Sequence, residues 1–215
     1  MKYIFLIISL AFPLFLSAHT VNYQLEGAPG GAVLSYYLPL GFQHILPLGL
    51  DHICFIIGLY LLNPKLKTVV TQATVFTVAH TITLCLTMNN TITMDSNIIE
   101  PIIALSICFI ALENLFVQNI KPWRVLLIFA FGLIHGMGFA SALNEIGLPR
   151  DAFYPSLISF NIGVELGQIA VIVMCYLIFG LWFSEKKWYR QRIVMPMSVV
   201  IAMVSAYWVL ERTIL

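Results

Sequence analysis

One short stretch decides the fold, and it reads Gly41-Phe42-Gln43-His44-Ile45-Leu46-Pro47-Leu48-Gly49-Leu50-Asp51-His52. It places three ionisable side chains inside a segment that is otherwise apolar. A lipid bilayer penalises such groups, so they persist there in pairs, in wet cavities or on metal ions. Pro47 and Gly49 predict that the helix is kinked or broken between the two histidines. Broken membrane helices commonly free backbone carbonyls for ion binding, and an ordinary proline kink is the alternative.

The composition indicates an integral membrane protein. The chain has 215 residues, of which 60% are hydrophobic and 10% are charged, and its mean hydropathy is +0.92. Soluble domains carry about 25% charged residues. We therefore expect an all-α, polytopic transmembrane helical bundle surrounded by lipid. The net charge of +1 offers no basic surface for nucleic acid. The four cysteines lie in apolar stretches without a C-x-x-C motif, so we expect buried thiols.

Hydropathy divides the chain into three parts. Residues 1–18 resemble a signal peptide, with Lys2, an apolar core and Ser17-Ala18 as a small-residue exit. Cleavage and retention as an anchor both stay open. Residues 19–39 form an extracytoplasmic leader, and residues 40–215 form a single transmembrane domain. Because a span needs about 20 apolar residues, this domain divides into six spans, at about 40–62, 68–88, 98–118, 123–144, 155–183 and 193–211.

The cations of the loops predict the orientation. Alternate connections carry eight of them: Lys65, Lys67, Lys121, Arg124, Lys186, Lys187, Arg190 and Arg192. The other side holds only Arg150 and Arg212. Because Lys and Arg accumulate on the cytoplasmic side, both mature termini should be extracytoplasmic. The expected location is a bacterial-type inner (plasma) membrane.

Polar side chains of four spans fall at a similar depth, roughly 9 to 18 Å below the outer surface at about 1.5 Å per helical residue. They are His52, His80, His135, Asn161 and Glu165. This agreement predicts one shared site. Asn161 and Glu165 are four residues apart and share a helix face, which Gln168 continues. In the alternative, each histidine only forms hydrogen bonds between helices.

Further acids lie near the ends of the third span. Glu100 precedes Pro101 at its outer start, where it could attract cations or only complement the helix dipole. Glu113-Asn114 lies near the cytoplasmic end, as an inner step of a pathway or a carboxylate that reaches the interface. Small residues four apart predict close approach of the fourth and fifth spans; they are Gly132, Gly136, Ala140, Gly163 and Gly167.

An ordered set of motifs gives the chain a family resemblance. The set comprises Gly41 to His52, Phe76-Thr77-Val78-Ala79-His80-Thr81, Glu100-Pro101-Ile102-Ile103-Ala104-Leu105-Ser106, Glu113-Asn114, Phe131-Gly132-Leu133-Ile134-His135-Gly136-Met137-Gly138-Phe139-Ala140 and Phe160-Asn161-Ile162-Gly163-Val164-Glu165-Leu166-Gly167-Gln168. It covers about residues 40–170 and resembles the HupE/UreJ family. The resemblance is closest to the branch with a longer His-to-Asp-His spacing than the hydrogenase- and urease-linked members have. It implies a nickel or cobalt permease that feeds such metalloenzymes.

The first hypothesis is a transporter for a divalent metal ion rather than an enzyme. Its candidate ligands are His44, Asp51, His52, His80, His135 and Glu165. Its candidate second shell and pathway are His19, Glu100, Glu113, Asn114, Asn161 and Gln168. Imidazole and carboxylate suit nickel, cobalt, zinc or copper(II), so ligand type alone does not select the metal.

Two other hypotheses stay open. Three histidines and an acid could hold zinc in an intramembrane hydrolase that acts on a lipid or a membrane peptide. No H-E-x-x-H or G-x-S-x-G motif supports this hypothesis. The histidines could also brace the helices of a membrane assembly factor. The sequence leaves a homo-oligomer open.

Overall fold

The protein is a bundle of helices. The structure is a computed structural model that describes residues 25–214, apart from the side chain of Ser141. The predicted signal peptide, His19 and the start of the predicted leader lie outside this range. Within it there is no strand, which confirms the predicted all-α class. The helices are α1 (Gly30–Ile45), α2 (Leu50–Leu62), α3 (Leu66–Met88), α4 (Ser96–Phe116), α5 (Arg124–Ile146), α6 (Phe153–Cys175) and α7 (Met195–Ile214).

Five of these helices are long and apolar enough to cross a membrane by themselves. Two of the five are extended by π-helical turns, so that continuous helix runs over Phe153–Phe183 and Arg190–Ile214. Helices α1 and α2 pass the same test only together, as a broken span. The described residues thus hold up to six spans, in agreement with the prediction. Helix α1 begins at Gly30, inside the segment predicted as a leader, because the apolar run before residue 40 continues the helix.

The first span is broken where Pro47 and Gly49 predicted it. The axes of α1 and α2 differ by 65°. Pro47 has no N–H to continue the ladder of a helix, and the Leu46–Pro47 peptide is cis. A Cβ atom on Gly49 would overlap the carbonyl of His44, so the chain can pass this close only with glycine there.

Glycines let pairs of helices approach closely, but not the pair that the sequence predicted. Gly163 and Gly167 of α6 face the backbone of α1, and Gly136 of α5 faces the backbone of α3 at His80. The fourth and fifth spans therefore each pack against another helix rather than against each other. That expectation was wrong because small residues mark a close contact without naming the partner helix.

The two ends of the bundle differ in charge. One end, called the basic end below, contains the connections 63–65, 117–123 and 184–189, with Lys65, Lys121, Lys186 and Lys187. The other end contains the connections 89–95 and 147–152 and the last turn of α7. We call it the cavity end, for the cavity described below.

The close approach of α3 and α5 makes a prediction for Gly136. In Gly136→Ala, the new methyl group would meet the His80 carbonyl and the Thr83 hydroxyl. We expect the free energy of unfolding in detergent to fall by about 1–3 kcal/mol, as for other overpacked sites. Gly31→Ala is the matched control, since nothing lies within 4 Å of its added atom. Equal effects of the two substitutions would contradict this account of the packing.

Candidate metal centre

Three histidines from three helices converge inside the bundle, nearer its cavity end than its basic end. His44 lies at the end of α1, His52 at the start of α2 and His80 within α3. One ring nitrogen of each lies within 4.8 Å of one nitrogen of each of the others. Imidazole nitrogens bound to one ion at about 2.1 Å lie within about 4.2 Å of one another. A small movement would therefore bring all three onto a single ion.

The broken span is what brings the first two rings together. On a straight helix, residues eight apart are separated by about 12 Å along the axis. The break between α1 and α2 reduces the distance between the ring centroids of His44 and His52 to 4.7 Å. The His80 ring lies 6.2 Å from each of them.

Hydrogen bonds fix the tautomer of His80. The amide of Asn161 donates to the Leu157 carbonyl, so its oxygen faces His80. His80 Nδ1 therefore donates to Asn161 Oδ1, at 3.4 Å. A ring that donates from one nitrogen keeps a lone pair on the other. His80 Nε2 is that atom, and it is buried without a hydrogen-bond partner among the described residues.

His135 of α5 is a fourth ring beside this group. Its centroid lies 5.3 Å from that of His52, although it is not one of the three mutually close rings. The Ser106 hydroxyl donates to the Ile103 carbonyl and so accepts from His135 Nε2, at 3.0 Å. The lone pair of His135 is therefore on Nδ1, which is also buried without a partner in the described chain.

All four rings thus carry a buried nitrogen to which residues 25–214 offer no hydrogen bond. The atoms are His44 Nε2, His52 Nε2, His80 Nε2 and His135 Nδ1. A buried polar atom without a partner is destabilising by about 1–3 kcal/mol. Other buried polar atoms of the described chain also lack a partner, among them Tyr60 Oη and Gln72 Nε2, so it is the grouping of the four rings that calls for a cause. A cation that accepts their lone pairs would remove the penalty.

A cavity of about 450 Å³ connects the cluster with the cavity end of the bundle. Its wall includes His44, His52 and His135, and its rim includes Asp51 and Arg212. Below the cluster, towards the basic end, the rings of Phe55 and Phe76 are 1% exposed each. Their centroids are 5.0 Å apart, and they lie 5.6 Å and 4.9 Å from that of His135. The site is therefore open on one side and closed by aromatic rings on the other.

The structure does not bring the two predicted acidic ligands onto the ring nitrogens. Asp51 forms an ion pair with Arg212 of α7, with a shortest distance of 2.9 Å between Oδ2 and Nη2. Successive helical residues point about 100° apart, so an inward His52 turns Asp51 towards α7. Glu165 accepts a hydrogen bond of 2.6 Å from Thr74, six residues before His80 on α3 and about 9 Å nearer the basic end.

The predicted pathway residues lie at different levels of the bundle. Asn161 contacts His80, whereas Gln168 donates to the Thr77 hydroxyl at 3.0 Å, further towards the basic end. Glu100 lies beside Arg212 of the rim, with Oε2 3.9 Å from Arg212 Nε. Near the basic end Asn114 donates to the Gly58 carbonyl at 2.8 Å.

Glu113 has a partner that the sequence analysis assigned to a loop. Its Oε2 lies 3.1 Å from Arg124 Nε, and the side chains are 3% and 0% exposed. Arg124 is therefore not a free loop cation but half of a buried ion pair at the first turn of α5. Its charge balances that of Glu113, so it adds nothing to the excess of loop cations used for orientation. The rings of Phe55 and Phe76, which we call the aromatic floor of the cluster, were not among the predicted site residues. The spacing Phe76-x-x-x-His80 could have indicated Phe76, since it places both side chains on one helix face.

Comparison with known proteins places the chain in one family. The profile described as HupE / UreJ protein matches residues 20–212. No curated protein and no solved structure matches the chain. The match extends the resemblance of the motifs to nearly the whole chain, including α7 with Arg212.

The contact between Asn161 and His80 predicts an effect on metal affinity. Replacing the partner of a ligating histidine typically weakens metal binding about 10- to 100-fold. Asn161→Ala should therefore weaken binding of Co²⁺ by at least about tenfold in calorimetric titration. Ser159→Ala is the control on the same helix, since that hydroxyl only bonds to the Pro155 carbonyl. Unchanged affinity in Asn161→Ala would contradict the assigned role.

Proposed function

The chain belongs to the HupE/UreJ family, and from this premise we propose that it transports a divalent transition-metal ion, nickel or cobalt, across a membrane. The family suggests membrane transport of these metals. The observation that carries the proposal is the convergence of ring nitrogens from His44, His52 and His80, one from each, within 4.8 Å of one another. The metal is the substrate, held briefly by the cluster on its way through the bundle.

The donor set suits the proposed cargo. Neutral imidazole is a good ligand for nickel, cobalt, zinc and copper(II), whereas magnesium and calcium prefer oxygen. His135 Nδ1 and water from the cavity could complete the coordination that three rings leave open. A site with exchangeable positions favours transport, because the ion must leave as well as bind.

The arrangement of open and closed sides supports a direction of entry. The cavity leads from the cavity end to His44, His52 and His135. With the basic end in the cytoplasm, as the loop cations favour, this opening faces outwards. The ion would leave past Glu113 and Asn114 towards the cytoplasm. Both the aromatic floor of Phe55 and Phe76 and the buried Glu113–Arg124 pair must then move. One-sided access to a central site is what alternating access requires.

A zinc-dependent hydrolase is the alternative that three histidines and a wet cavity also fit. Such an enzyme needs a free carboxylate or another base beside the metal-bound water. Among the described residues, Asp51 is paired with Arg212 and Glu165 accepts from Thr74. Neither carboxylate belongs to the group of mutually close ligand atoms, so the geometry favours transport.

Loss of a ligand should abolish uptake. We expect His52→Ala and His80→Ala each to lower the uptake of radioactive nickel or cobalt into proteoliposomes at least about tenfold, since even indirect changes to metal ligands have effects of this size. Thr71→Ala is the control on α3, because its hydroxyl only bonds to the Lys67 carbonyl. Uptake at the wild-type rate in both histidine variants would refute the proposal.

Protons should compete with the metal. A histidine must be neutral to bind a metal ion, so protonation of the cluster removes its lone pairs. We expect initial uptake to fall as the pH is lowered, measured with the same pH on both sides of the proteoliposome membrane. A rate that stays constant or rises on acidification would show that imidazoles do not bind the transported ion.

A further inference from the structure

Arg212 lies at the rim of the cavity, in the last turn of α7, where it faces two acids. Its Nη2 lies 2.9 Å and 3.1 Å from the two carboxylate oxygens of Asp51. Its Nη1 donates to the backbone carbonyl of Glu100 at 3.3 Å, and its Nε lies 3.9 Å from the Glu100 carboxylate. The guanidinium thus bridges the carboxylates of α2 and α4.

The charges at the rim do not balance. Two carboxylates face one guanidinium, so this group carries an excess of one negative charge when all three side chains are ionised. A cleft with low-dielectric walls and such an excess attracts cations from solution. The Glu100 side chain is 55% exposed, so an arriving ion can reach it before it reaches Asp51.

The rim is continuous with the buried nitrogens of the cluster. Asp51 directly precedes His52, and both residues line the cavity together with His135. His52 is 7% exposed and His135 1%, and each has a ring nitrogen without a partner in the described chain. An ion bound by Asp51 would therefore share the cavity with rings that carry unpartnered nitrogens, which an acidic patch alone would not provide.

Arg212 also contacts an aromatic ring of its own helix. Its guanidinium carbon lies 5.5 Å from the ring of Trp208, one helical turn earlier on α7. Guanidinium groups are attracted to the face of an indole at this distance. The side chain could leave Asp51 and keep this contact without crossing the cavity.

We propose that Arg212 is a resident counter-cation of the entrance, and that an arriving divalent ion displaces it from Asp51 and Glu100. The divalent ion neutralises the two carboxylates, while the guanidinium stays over Trp208. The ion then passes from Asp51 to His52 and the other rings. Arg212 thus selects against monovalent cations, which do not neutralise both acids. This inference rests on the proposed function only in taking a divalent metal as the ion that arrives.

Equilibrium binding of Co²⁺ to the purified full-length protein tests the competition. Arg212→Gln removes the competitor, so we expect Co²⁺ to bind about two- to fivefold more tightly, the range for a partly exposed ion pair. The gain should disappear when Asp51→Asn is also present. Arg212→Lys keeps the charge and should stay near the wild type. Arg150→Gln is the control, because it removes an exposed cation from the same end of the bundle.

Several results would overturn the inference. Weaker Co²⁺ binding in Arg212→Gln would show that Arg212 supports the site instead of competing for it. A gain that persists with Asp51→Asn, or that also appears in Arg212→Lys or Arg150→Gln, would exclude competition at Asp51. Should Arg212→Gln fail to fold, Glu100→Gln provides the second test. It removes one of the two carboxylates that face Arg212 and should weaken Co²⁺ binding about two- to fivefold, whereas unchanged or tighter binding would overturn the inference.

These experiments separate the inference from the proposed function. They measure binding and not transport, and the double variant compares Arg212 and Asp51 with the histidines intact. If the histidine variants keep their uptake while Arg212→Gln tightens binding through Asp51, the proposal of transport by the cluster is refuted and the inference about Arg212 is supported. If uptake depends on the histidines but Arg212→Gln weakens binding, only the counter-cation fails.

Discussion

The break in the first span is the constraint from which the site follows. On a straight helix, His44 and His52 would be about two turns apart and could not share an ion. Pro47 interrupts the hydrogen-bond ladder, and Gly49 allows the backbone to pass the His44 carbonyl. The resulting bend of 65° brings the two rings to 4.7 Å. Helices α3 and α5 then need to supply only one ring each.

The histidine cluster has different surroundings towards the two ends of the bundle. Towards the cavity end, the histidines line an open cavity whose rim carries Asp51 and Arg212. Towards the basic end, they meet aromatic rings and then the ion pair of Glu113 with Arg124. The Arg124 side chain in this pair is fully buried. Breaking a buried ion pair leaves uncompensated charge and is strongly unfavourable. In the proposed transporter, this pair would therefore favour the closed arrangement at the basic end, whereas the partly exposed pair at the rim can exchange partners more readily.

The sequence predicted the features that depend on local pattern. Lengths of apolar segments predicted the spans, and the residues around Pro47 predicted the break. The depths of the histidines predicted that they meet, because depth follows from position along a helix. The orientation of a side chain around the helix does not follow in this way. Asp51 therefore contacts Arg212 instead of the cluster, and Glu165 contacts Thr74, about 9 Å nearer the basic end than His80.

The sequence alone could not predict which helices pack against each other. Gly136 and Gly163 marked close contacts, but their partner helices depend on the packing of the whole bundle. Arg124 looked like a loop cation because it follows Pro122 and Trp123, yet it is buried against Glu113.

X-ray absorption of the protein loaded with nickel or cobalt tests the central claim most directly. The account predicts at least three imidazole nitrogens at about 2.1 Å from the metal, lost when His44, His52 and His80 are replaced together by alanine. A coordination shell of oxygen alone, or one that survives this replacement, would contradict it.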